Sequence, residues 1–139
     1  MRRTRSIYRA GGGYAIPLIV DLLLVVVFAV IGRMSHSEGL SLAGIVTTGW
    51  PFVLALLVGW VLVTLFRWRP WRPLPSGAFI WVVTVGGGML LRLLVGDTAE
   101  TAFVVVASIV LGAFLLLPRI LLGTGRDARA SAPRSPSVR

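Results

Sequence analysis

Long apolar runs broken by short polar connections dominate the chain. They extend from about Ala15 to Met34, Leu42 to Phe66, Gly77 to Val95 and Thr101 to Leu117. A hydrocarbon layer ~30 Å thick is crossed by roughly 20 helical residues at ~1.5 Å rise each, so each run has about the length of a membrane span. The stretch "DLLLVVVFAVIG" has none of the alternation of a membrane strand. Lipid also forces backbone polar groups to bond within their own segment, which favours helices for unbroken apolar sequence. The pattern predicts an all-α polytopic membrane protein, a four-transmembrane-helix bundle over residues 15–122 with helices at about 15–34, 42–66, 77–95 and 101–117. A basic segment (1–14) precedes it. The Gly-, Ser-, Pro- and Arg-rich segment 123–139 has no apolar periodicity and reads as a disordered tail. The first run follows the basic start "MRRTRSIYR", but it is too long for a signal peptide and lacks a convincing cleavage site, so it reads as a retained helix.

Composition supports this picture. The 139 residues are 56% hydrophobic and 14% charged, above the ~45–50% apolar usage of soluble domains, and the surplus has to face something other than water. Without cysteine there is no disulfide, thiolate metal site or cysteine nucleophile. Without lysine there is no Schiff base; all 14 basic residues are arginine.

A net charge of +9 would point to nucleic acid in a soluble protein. Here the arginines flank apolar runs, so topology and anionic lipid headgroups account for them and no nucleic-acid partner is expected. Arg2, Arg3, Arg5 and Arg9 precede the first helix, Arg67, Arg69 and Arg72 separate the second and third, and Arg119, Arg126, Arg129, Arg134 and Arg139 follow the fourth. With four spans all of these fall on one side. The other connections, "SHSEG" and "GDTAE", carry Glu38, Asp97 and Glu100, with Arg33 and Arg92 at the adjoining helix ends. The positive-inside rule then places both termini in the cytoplasm and the protein in the plasma membrane. The loop "RWRPWRPLPSG" sets Trp68 and Trp71 at the interface and Arg67, Arg69 and Arg72 within reach of lipid phosphates.

Polar residues inside the runs are the candidates for chemistry. If the first helix starts near Pro17, Asp21 lies about one turn, or ~6 Å, from that start. It reads either as a structural ion pair with Arg67 or Arg69, or as a proton- or solute-coupling carboxylate. Phe28, Gly32, Ser35 and His36 lie within about 60° of Asp21 around the helix and form a stripe with it, while Arg33 points elsewhere. With a single histidine and no cysteine, His36 reads as a hydrogen-bonded interfacial residue and no metal or other cofactor is expected. Arg92 is placed to snorkel, with Asp97 and Glu100 as counter-charges. Pro51 in "TTGWPF" kinks the second helix, and the Thr47 hydroxyl is placed to help the freed backbone group. "WVVTVGGGMLLR" sets three glycines in mid-helix, either for close packing through Thr84 and Gly88 or as an unwound substrate site. Ser108 and Gly112 repeat the small-residue spacing in the fourth helix.

Asp21, "FAVIGRMSH", "TTGWPF" with Gly59 and Trp60, Trp81, Thr84, Gly88, "LLR" ending at Arg92, and "TAFVVVA" together resemble a known family. It is domain of unknown function three-zero-five-four, small membrane proteins found mainly in actinobacteria and haloarchaea. The resemblance covers about residues 18–120 and departs at "GDTAE", where a more Gly-rich turn is expected, and at "LPR", where an aromatic is expected before the arginine. It implies an integral membrane protein with no established activity.

The resulting expectation is a binding or accessory membrane protein. Its polar pocket in the outer half of the bundle is drawn from Arg33, His36, Thr47, Trp50, Thr84 and Arg92. It would hold an anionic or lipid-like ligand or a partner membrane subunit, with anionic lipid headgroups on the cytoplasmic side. The alternative is a small proton- or ion-coupled transporter or channel, acting as a parallel oligomer because the charge bias opposes dual topology. No nucleophile with a base and no metal cluster appears, so no enzyme is expected.

Overall fold

The computed structural model describes residues 8–34 and 41–130, with side chains over 13–34 and 41–122. These residues form α1 (Tyr8–Met34), α2 (Leu42–Leu65), α3 (Ala78–Leu94) and α4 (Thr101–Ala130), and no strand is present among them. The segments Gly13–Met34, Leu42–Leu65, Pro73–Leu94 and Thr101–Leu122 are each long and apolar enough to cross a membrane.

Two helices overrun their expected ends, both at prolines. α1 begins at Tyr8 rather than near residue 15 and carries Pro17 inside it. α4 continues through Pro118 to Ala130, so residues 123–130 are helical where a disordered tail was expected; residues 131–139 lie outside the described residues. A proline disfavours helix in the residue before it and removes one backbone bond. At Pro118, burial overrides that preference: Leu115 and Arg119, on either side of it, are both buried against the bundle. One consequence is that Asp21 lies eight residues past Gly13, roughly 12 Å into the apolar span rather than one turn from a helix start.

The other ends are capped locally. Ser41, with φ −122° and ψ 144°, accepts the Gly44 N–H on its Oγ at 3.1 Å and starts α2. α2 and α3 both end in paired backbone bonds around a left-handed residue. At α3, Gly96 (φ 85°) donates to Leu93 O and Asp97 to Arg92 O, at 3.1 and 2.9 Å. At α2 the same pair runs from Arg67 to Thr64 O and from Trp68 to Val63 O, at 3.1 and 3.0 Å, but the left-handed residue is Arg67 (φ 55°). A side chain in that conformation costs roughly 1–2 kcal/mol that glycine avoids.

α2 and α3 share the most extensive interface. It is close because Gly87 faces the Ala55 methyl group and Gly88 faces the Phe52 ring, with no room for a Cβ at Gly88. Gly87 and Gly88 therefore serve packing, while Gly86 faces open space, and α3 is helical throughout rather than unwound. Gly49 faces Ala29 between α2 and α1. Between α3 and α4, the Trp81 indole lies over Gly112 and donates to Ser108 O at 3.0 Å. Hydroxyls within the helices bond back to their own turns: Thr84 to Ile80 O and Ser108 to Val104 O, both at 2.7 Å. Thr47 does the same to Gly44 O at 3.0 Å; its hydroxyl does not compensate for Pro51, whose missing donor leaves the carbonyl of Thr47 itself. Phe28, Phe52 and Phe103 pack together, with centroids 5.2–6.3 Å apart, at one end of the core. Leu23, Leu54, Val61, Val82 and Ile109 point outward from the bundle, where lipid would cover them.

Candidate functional site

Cross-helix contacts gather polar groups at opposite ends of the bundle. The early part of α1 meets the late parts of α2 and α4 around Asp21, Trp60 and Arg119. The late part of α1 meets the early part of α2 and the α3–α4 connection around Arg33, Thr47 and Arg92. Successive helices therefore alternate in direction.

At the first end Asp21 is 1% exposed and Arg119 4%. The guanidinium grips the carboxylate as a fork, with Nη1–Oδ1 at 2.8 Å and Nη2–Oδ2 at 2.6 Å. Trp60 Nε1 donates to Oδ2 at 2.8 Å. Arg119 also donates to Pro70 O (Nε, 2.9 Å) and Leu115 O (Nη1, 2.6 Å). An intramembrane charge is tolerated when it is paired and hydrogen-bonded in this way. Gly77, just before α3, has no room for a Cβ because the Arg119 Cδ would lie 2.7 Å from it. Three helices, the α2–α3 loop and the approach to α3 thus converge on one ion pair.

The partner of Asp21 is not Arg67 or Arg69, as proximity to the end of α2 had indicated; both of those side chains are exposed. Arg119 is brought in by the continuation of α4 through Pro118. A helix ended at Leu117 hides it. The available signal was an arginine in "LPRILL" with apolar residues on both sides.

At the other end an open cleft of about 420 Å³ is lined by Gly32, Arg33, Thr47, Thr48, Arg92 and Phe103, with Asp97, Thr98 and Glu100 on its rim. Phe103 connects this cleft to the core, and the Arg92 guanidinium lies 4.8 Å from its ring centroid. The left-handed turn at Gly96 folds the chain back so that Asp97 Oδ2 lies 3.4 Å from Arg92 Nη2. Arg92 Nε and Nη2 both reach Thr98 O at 3.4 Å. The Arg33 side chain lies over Gly44, where a Cβ would collide with the guanidinium.

Of the residues expected in a pocket, Arg33, Thr47 and Arg92 line this cleft. Arg33 does so although its helical position lies off the Asp21–Phe28–Gly32 stripe, because its long side chain sweeps back. Trp50 is exposed on the outer surface and does not line the cleft, and Thr84 is fully buried deeper in the bundle. Ser35 and His36 lie outside the described residues. Thr98 and Phe103 had not been assigned to a pocket; the polar "GDTAE" turn was the available signal for the rim. Among the described residues no group of three His, Cys, Asp or Glu side chains is placed to hold a metal ion.

No curated protein and no solved structure matches the chain. The profile of the family described as "Protein of unknown function (DUF3054)" matches residues 18–122. That range includes Asp21, Trp60, Arg119 and every residue lining the cleft. The chain therefore belongs to the DUF3054 family.

Proposed function

We propose that this protein is a membrane-embedded binding protein with both termini in the cytoplasm, and that its outer cleft takes a small ligand or lipid headgroup bearing a phosphate or carboxylate. The observation that carries the reading is the contrast between two arginines. Arg119 is held by contacts of 2.6–2.9 Å to a carboxylate and two carbonyls, all buried. Arg92 makes 3.4 Å polar contacts to Thr98 O and Asp97 and lies over the Phe103 ring; its side chain is 14% exposed and that of Asp97 51%. Contacts that long are weak hydrogen bonds, and water at the exposed Asp97 end screens the ion pair. A phosphate or carboxylate that accepts two parallel N–H bonds from Arg92 replaces them at little cost. Arg33 and Thr48 also line the cleft.

A carrier coupled through Asp21 is less well supported, because that carboxylate is already occupied by Arg119 and Trp60. The test is extraction from native membranes into lipid nanodiscs, followed by mass spectrometry of bound molecules. An anionic species retained by the parent protein and lost from Arg92→Gln, at unchanged melting temperature, supports the reading. The same species in both proteins overturns it.

A further inference from the structure

We propose that the α2–α3 loop is a built binding site for the headgroup of an anionic phospholipid, separate from the outer cleft and independent of the reading given for it. Residues 66–72 connect the apolar span that ends at Leu65 to the one that begins at Pro73. Within this connection the side chains sort by type. Arg67, Arg69 and Arg72 are exposed, Trp68 and Trp71 are half-buried, and Pro70 is buried. Three guanidiniums therefore face outward from a strip whose two indoles and proline are turned toward the bundle, with the Phe66 ring exposed at its start. None of the three makes an ion pair among the described residues.

The strip is held in place rather than hanging between helices. Pro70 O accepts from Arg119 Nε at 2.9 Å, and Arg119 is itself fixed by Asp21. Arg72 N–H donates to Arg69 O at 3.2 Å, and Gly77 N–H closes a wider turn onto Arg72 O at 3.0 Å. Phe66, Trp68 and Phe79 pack ring against ring beside it, with centroids 5.2–6.2 Å apart.

A second observation is independent of charge. The bundle uses the same left-handed helix ending twice, with glycine at position 96 and arginine at position 67. Glycine is the unstrained choice. An arginine kept in a strained conformation marks a site where the side chain has a use, and here it adds the first cation of the array. The occupant follows from the neighbours. Leu65, Phe66 and Leu74 flank the arginines and are exposed, so a partner must offer negative charge and hydrocarbon at one level, as a phospholipid at the membrane interface does. An acidic peptide or a nucleic acid offers the charge without the hydrocarbon.

The full chain in phosphatidylcholine nanodiscs with a small fraction of phosphatidylglycerol, followed by native mass spectrometry of retained lipid, tests this. The parent protein should retain phosphatidylglycerol at least tenfold over its share in the disc. Arg67→Gly/Arg69→Gln/Arg72→Gln should bring retention down to that share. Arg67→Gly alone should lose severalfold in retention while its melting temperature in pure phosphatidylcholine rises, because the strain is removed. Equal retention by the parent and triple variants, or no preference for phosphatidylglycerol in the parent, overturns the assignment. So does a fall in melting temperature that accompanies the lipid loss in Arg67→Gly.

Discussion

Arg119 and Arg92 are the same residue type in one bundle, and contact length and burial give them different uses. The first is gripped by four short buried bonds, while the second is held by longer contacts beside an open cleft. The third arginine of interest, Arg33, depends on a glycine. A methyl group at Gly44 would occupy the space of its guanidinium. Gly44→Ala gains about 1 kcal/mol in helix propensity, which offsets part of the ~1–3 kcal/mol that overpacking costs. The melting temperature should therefore change little. The Arg33 side chain should be displaced from the cleft, and ligand retention measured by native mass spectrometry should drop about tenfold. A variant that binds as the parent does would show that Arg33 is not part of the site.

At the scale of elements, α4 is joined to α1, α2 and the α2–α3 loop through a single side chain. Arg119→Met leaves the Asp21 carboxylate buried without its partner and should cost about 3–5 kcal/mol, read as a drop in unfolding midpoint in detergent titration. Asp21→Leu/Arg119→Met should recover most of that loss, because two apolar side chains need no pairing in lipid. The double variant failing as badly as the single one would contradict this account. The spans that carry these residues were legible in the sequence, because an apolar run near 20 residues has few structural outcomes. The overrun of α1 and α4 was not, because a proline is a local signal for a boundary and the burial that overrides it at Pro118 is a tertiary fact. The identity of the ion pair was lost with it: Asp21 and the first half of α1 were in view, but Arg119 had been placed beyond the helix that delivers it.

For the molecule as a whole, the proposed orientation rests on the eleven other arginines that the sequence sets before the first span, between the second and third and after the fourth, Arg119 being buried in the ion pair. A carboxy-terminal fusion to alkaline phosphatase should be inactive and a fusion to a fluorescent protein bright; the reverse pattern would place the cleft on the cytoplasmic side. The cleft was partly readable before the fold was known. Arg33, Thr47 and Arg92 share one depth at the helix ends, and depth can be counted along a sequence. Trp50 and Thr84 were misplaced for separate reasons. Trp50 has the right depth but faces outward, since rotation about a helix axis is set by neighbours. Thr84 lies eight residues before Arg92, roughly 12 Å deeper along α3. The central claim is that ligand binding belongs to the outer cleft and that the buried ion pair only holds the bundle. It is tested most directly by comparing the molecules retained in native nanodiscs by Asp21→Leu/Arg119→Met and by Arg33→Gln/Arg92→Gln. The account predicts that the first variant keeps the ligand of the parent protein and the second loses it. Loss from the first with retention by the second would contradict it.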